Sequence, residues 1–241
     1  MPKSPTEVPH VAFTQHRIGI RRNTQPEIAG PSSPVSLVAL QDQSRLSAID
    51  RDRGLGLAMF ELSRSPTLTD ENQVDVGRAQ QLLETVERKG AADSPVYAAL
   101  AVLAMARSST SEAMQYAERV LHLEPHPSNA RIDALRIMAN IRFREQKFPE
   151  ALIPLREVSA ARRNARDWFY LGLCEQNCNN TQQALRALNR SLAIDPVQQG
   201  AHEAIAAIYQ SLGRQTEANT HKKFAARIAN DQQNSSPQKG R

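Results

Sequence analysis

The chain reads as an all-α protein made of repeated helix hairpins, and three observations lead there. Ala79, Ala113, Ala151, Ala184 and Ala218 follow one another at 34, 38, 33 and 34 residues, the length of one short helical hairpin. Around these alanines the apolar residues are spaced by three and four, as on one face of a helix. Only ten glycines occur in 241 residues, few of them inside the periodic segments, which argues against a sheet protein. At 40% apolar residues the chain is long enough for one substantial domain with tails.

Taken in order, residues 1–40 differ in kind from the rest. Six of the fourteen prolines (Pro2, Pro5, Pro9, Pro26, Pro31 and Pro34) lie there, so an extended arm is expected rather than a long helix. Residues 41–93 are expected to form a divergent first repeat. Its first helix runs from about Gln41 to Ser63 and carries Leu46, Ile49, Leu55, Leu57, Met59 and Leu62. Gly54 and Gly56 are not a phosphate loop, because no strand precedes them and their spacing is wrong. A loop from Arg64 to Glu71, turned at Ser65-Pro66-Thr67, precedes the helix that carries Ala79 and Leu83.

Residues 94–230 hold the regular array. Ser109 with Glu112, and Asn180 with Gln183, have the spacing of capping boxes, and Pro149-Glu150 suits a first helical turn. The longest interval, between Ala113 and Ala151, is expected to lengthen the turn at Pro125 to Asn129. Residues 231–241 are too polar to pack and are expected to be a disordered tail.

The stretch from Asp167 to Pro196 carries the most specific pattern. Trp168, Leu171-Gly172, Ala184, Leu188, Ser191 and Pro196 fall at the offsets of the tetratricopeptide repeat (TPR), and this stretch resembles one TPR unit. Glu175 stands where that pattern usually has Tyr. Gly172 and Ala184 are small where two antiparallel helices touch, and Trp168, Leu171, Leu188 and Leu192 are expected to fill the space around that contact within one repeat. The resemblance implies a TPR-like α-solenoid of about five hairpins, the first degenerate, stacked in a right-handed superhelix. It also implies an inner face built from the first helix of each repeat. Counted along those helices, the groove candidates are Arg136, Asn140, Phe143 and Arg144, then Arg166, Phe169, Leu173 and Asn177, then Glu203 and Gln210. Asn and Arg there would hold the backbone or carboxylates of an extended peptide.

Charge gives the partner a sign. The net charge of +5 is too mild to mark a nucleic-acid binder, but from Arg131 to Arg166 there are nine Lys or Arg against four Asp or Glu. A protein or peptide partner, acidic in character, follows. No apolar run reaches the length of a membrane span and no export signal opens the chain as written, which is a cytoplasmic expectation. Cys174 and Cys178, four apart on one helix, are expected to be buried reduced thiols and not a zinc site or a disulfide.

The first 22 residues carry a second resemblance. Met1-Pro2, Pro9-His10, Phe13-Thr14 and His16-Arg17-Ile18 are similar to the segment that follows the Cys-x-x-Cys-His motif in multihaem c-type cytochromes fused to TPR arrays. There, histidines in this position serve as axial haem ligands, a role that would fall on His10 and His16. The chain itself has no Cys-x-x-Cys-His, so no cofactor is expected in it as given; haem c would belong to a longer, periplasmic parent protein. No catalytic triad, carboxylate pair, nucleotide loop or metal-spaced cluster is present in the sequence. A non-enzymatic protein-interaction scaffold is therefore expected, with the C-terminal portion of a truncated electron-transfer cytochrome as the alternative.

Overall fold

The structure, a computed structural model, describes Leu37, residues 45–65 and residues 75–235. The segment resembling cytochromes, with His10 and His16, lies outside the described residues. Among the described residues there are ten α-helices and no strand: α1 (Ala48–Ser63), α2 (Val76–Arg88), α3 (Ser94–Ala106), α4 (Thr110–Leu123), α5 (Asn129–Arg144), α6 (Phe148–Ala161), α7 (Ala165–Asn177), α8 (Thr181–Ile194), α9 (Gln199–Ser211) and α10 (Gln215–Ser235). The chain divides into two compact units, Met1–Leu82 and Leu83–Arg241.

In the first unit, Met59 of α1 and Ala79 of α2 are buried, with Leu37, Leu55, Leu62 and Leu82 packed against them. Helix α1 starts later than expected, because Ser47 caps it: the Ser47 side chain accepts the Asp50 N–H at 3.1 Å. Leu46 is left outside the helix and exposed. The unit boundary falls inside α2 rather than after it. The reason lies in the second half of that helix, where Leu83 and Val86 are fully buried and Glu87 accepts from the Tyr116 hydroxyl of α4 at 3.1 Å.

In the second unit, α3–α4, α5–α6, α7–α8 and α9–α10 are antiparallel hairpins packed in chain order. All five marker alanines are fully buried. The two helices of a hairpin differ in how they are buried. Helix α3 buries Val96, Ala98, Ala99, Leu100, Ala101, Leu103 and Ala104, nearly all round, whereas α4 buries the stripe Ala113, Ala117 and Val120. A helix flanked by neighbours on several sides must be apolar on several sides, and an outer helix needs one apolar stripe.

The turns inside the hairpins repeat one geometry. Ser108, Gln146, Asn179 and Gly213 have φ of 64°, 59°, 60° and 72°. The N–H of the following residue bonds back across the helix end: Ser109 to Ala104 O, Lys147 to Arg142 O, Asn180 to Glu175 O and Arg214 to Tyr209 O, at 2.8–2.9 Å. This corrects the expected capping boxes. The N–H groups of Ser109 and Asn180 are already engaged, and neither side chain caps its helix. Side-chain caps sit instead on the first helices of three hairpins, α3, α5 and α7, where Asp93, Ser128 and Asn164 have extended backbone and accept helix N–H groups.

Three further expectations change. Helix α5 has 16 residues where α3, α7 and α9 have 13, so most of the extra length between Ala113 and Ala151 is helix and not turn. The Ser128 cap, accepting the Arg131 N–H at 3.1 Å, winds Asn129 to Arg131 into the helix. At the other end, α10 continues through Ser235 and takes in the first five residues of the expected tail. Trp168 and Leu188 also part company. Trp168, half-buried, packs against a cluster that holds Leu171 and Cys174 of its own hairpin and Ala139, Ala151 and Leu155 of the preceding one, whereas Leu188 lies against Gly172 of its own hairpin as expected and shares a cluster with Ala201 and Ile205 of the following one. Glu175, in place of the usual Tyr, is buried and accepts from Arg156 of α6 at 2.8 Å and from Asn180 Nδ2 at 2.7 Å, so it ties two hairpins together. Cys174 is fully buried and reduced, its thiol pushed up to about 12 by burial, with Cys178 and Glu175 adding to the effect.

Candidate functional site

Helix α3 lies close beside α5, but α5 and α7 stand further apart. A cavity of about 270 Å³ opens in that gap. From α5 it is lined by Arg136, Ala139, Asn140 and Phe143; from α7 by Arg166, Asp167 and Tyr170; Asn164 and Leu155 complete it. Helical spacing explains the grouping, since positions 136, 140 and 143, and positions 166, 167 and 170, each share a face.

One wall is apolar. Phe143 meets Tyr170 edge-on at 5.1 Å and Phe148 edge-on at 5.6 Å, arrangements that suit the ring quadrupoles. The other wall is charged but largely self-neutralised. Arg136 grips Asp167 with two hydrogen bonds, of 3.1 and 2.9 Å, and Asp167 is only 4% exposed. The charge of Arg136 therefore serves to hold α5 to α7.

Arg166 differs. It is exposed, its guanidinium lies 5.6 Å from the Tyr170 ring centroid, and it reaches the Tyr170 hydroxyl at 3.4 Å. That hydroxyl raises the already high pKa of Arg166, so the group stays a cation. Among the described residues no carboxylate ion-pairs with Arg166. A second, more open cavity of about 500 Å³ shares Arg166, Asn164 and Tyr170 and continues to Phe169, Asp195 and Gln198. Arg166 thus stands at the junction of a continuous groove.

The structure sorts the sequence candidates. Arg136, Asn140, Phe143 and Arg166 come together in one cavity, and Phe169 lines the next. Arg144, exposed at the end of α5, lines neither. Leu173 packs against the core formed by α8 and α9, and Asn177 donates to the Leu173 carbonyl of its own helix at 2.8 Å. Glu203 accepts from Gln199 and Gln210 from Lys222 of α10, both at 2.7 Å, and neither lines the groove. Asn164, Asp167 and Tyr170 were missed. One signal for Asp167 was available: it lies 31 residues after Arg136, close to one repeat, with the opposite charge.

No family model and no curated protein sequence matches the chain. Solved structures do. MamA AMB-1 superposes with a TM-score of 0.62 at 23% identity, over 76% of this chain and 92% of that one. MamA 41-end from Desulfovibrio magneticus RS-1 gives 0.60 at 16% identity, over 80% and 99%. The hairpin array is a TPR-like α-solenoid. At this level of identity the likeness concerns fold. Among the described residues no helix is long and apolar enough to cross a membrane, and no three His, Cys, Asp or Glu side chains gather as a metal site would require.

Proposed function

We propose that this protein is a non-enzymatic interaction scaffold whose groove between α5 and α7 takes an extended acidic segment of another protein. The observation that carries this is Arg166: an exposed cation, steadied by Tyr170, at the meeting point of two cavities lined by aromatic rings and side-chain amides. Arg166 would pair with a carboxylate of the peptide, Asn140 and Asn164 would bond its backbone, and Phe143 and Tyr170 would pack an apolar side chain. The likeness to MamA supports a solenoid with a surface of this kind, and the peptide's acidity rests on Arg166. We extend the proposal to the absence of a cofactor: with no Cys-x-x-Cys-His in the chain, covalent haem lacks its attachment motif.

The test is fluorescence anisotropy with short labelled peptides that alternate acidic and apolar residues, against matched peptides with Lys in place of the acids. The acidic set binds the wild type, and Arg166→Glu weakens that binding by about ten-fold or more without altering helical circular dichroism. Equal binding of both peptide sets, or undiminished binding by Arg166→Glu, would remove the site.

A further inference from the structure

Outside the groove, two histidines of the last hairpin meet in an unusual way. His202 of α9 and His221 of α10 face each other with their Nδ1 atoms 2.9 Å apart. His202 is 7% exposed, and its other nitrogen, Nε2, lies 3.2 Å from the Pro196 carbonyl. A carbonyl only accepts, so Nε2 of His202 carries the proton and its Nδ1 presents a lone pair. His221 must then donate from Nδ1, which leaves its own Nε2 as the unprotonated atom. Phe224 stacks on the His202 ring at 5.2 Å and Tyr209 lies 5.9 Å from the His221 ring, so each imidazole has an aromatic ring beside it.

We propose that His202 and His221 form an acid-sensitive latch that holds α10 on α9 and opens when both imidazoles are protonated. Proton accounting gives the reason. A first extra proton can enter at His221 Nε2 without touching the bond between the rings. A second has only His202 Nδ1 to occupy, and there it meets the N–H of His221 across 2.9 Å. Two donors and two positive rings cannot keep that distance, and because the rings belong to different helices the helices separate.

No counter-charge relieves the pair. On the elements packed around it the charged groups are Glu203 on α9, Arg214 in the turn that follows it, Glu217, Lys222, Lys223, Arg227 and Asp231 on α10, Asp195 in the preceding turn, and Arg186 and Arg190 on α8. Among the described residues none of them ion-pairs with either ring. Glu203 is bonded to Gln199, Glu217 to Arg214, Lys222 to Gln210, and Asp195 to the Val197 N–H. On α7, Asp167 and Glu175 are paired with Arg136 and Arg156. Burial, and then the neighbouring His202, hold His221 below its ordinary value of 6.5. A histidine freed by opening takes its proton near the ordinary value. The closed state therefore keeps its full advantage above that pH and loses it as pH falls; His221 takes the first proton, and the second, at His202 Nδ1, opens the latch.

The test is hydrogen exchange of the intact chain between about pH 7.5 and about pH 4.5, corrected for intrinsic exchange rate, in the wild type and in His221→Gln. Protection of α10 and the facing side of α9 should fall by about ten-fold or more relative to α3–α6 in the wild type, and much less in the variant. Unchanged relative protection of α10 in the wild type, or an equal fall in His221→Gln, overturns the latch. Should the variant lose α10 already at neutral pH, nitrogen NMR of the wild-type imidazoles decides. The latch requires His202 protonated on Nε2 and His221 on Nδ1 at about pH 7.5, and any other pair of tautomers overturns it.

Discussion

Gly172 of α7 lies so close to Leu188 of α8 that a Cβ built on the glycine would stand 2.6 Å from Leu188 Cγ and 3.3 Å from the Leu188 backbone nitrogen. Cγ is a branch point and Leu188 is fully buried, so the leucine cannot simply swing away. Gly172→Ala should therefore destabilise the protein by about 1–2 kcal/mol even after the better helix propensity of Ala is counted. Leu188→Ala alone should cost about 2–5 kcal/mol through the cavity it leaves. The double variant should lose clearly less than the sum, because each change makes room for the other. Urea midpoints of the four proteins check this, and strict additivity would show that the two residues do not meet.

The turn at Gln146 holds a bulky residue at φ 59°, where the equivalent position of the last hairpin has Gly213 at 72°. A non-glycine side chain in that region strains the backbone. Gln146→Gly should raise stability by about 1 kcal/mol, visible as a higher urea midpoint with unchanged slope. Gly213→Gln, the reverse exchange, should lower it by a similar amount. A destabilised Gln146→Gly would mean that the Gln146 side chain contributes something the turn geometry does not show.

Arg136 and Arg166 are alike in sequence and should be separable in solution. Removing Arg136 leaves the Asp167 carboxylate buried without its partner, so Arg136→Ala should cost on the order of 3 kcal/mol. Arg166→Ala, at an exposed position, should change stability by less than about 0.5 kcal/mol while weakening acidic peptides. Thermal melts beside binding curves tell the two apart. Equal stability loss in both variants would contradict the division of labour between them.

The legible part of this protein was its period. A small residue is needed wherever two helices of a hairpin touch, so Ala79, Ala113, Ala151, Ala184 and Ala218 had to recur, and all five are fully buried. Apolar stripes and the helix start near Pro149 were legible for the same reason: they depend on residues three or four apart in the chain. The capping boxes at Ser109 and Asn180 were misread because the same residues also finish the preceding helix, and their N–H groups cannot serve both ends.

What the sequence by itself determined, then, is the helical repeat, its register and the residues that close each hairpin, because those contacts are local and recur. Only the tertiary structure decided that Arg136 holds Asp167 while Arg166 stays exposed, that Trp168 joins the core of the preceding hairpin and Leu188 that of the following one, and that His202 meets His221. The physical reason is distance. A hydrogen bond or ion pair between helices forms or fails within a few tenths of an ångström, and that gap is set by the bulk of every residue packed between the helices, not by the spacing of the two partners along the chain.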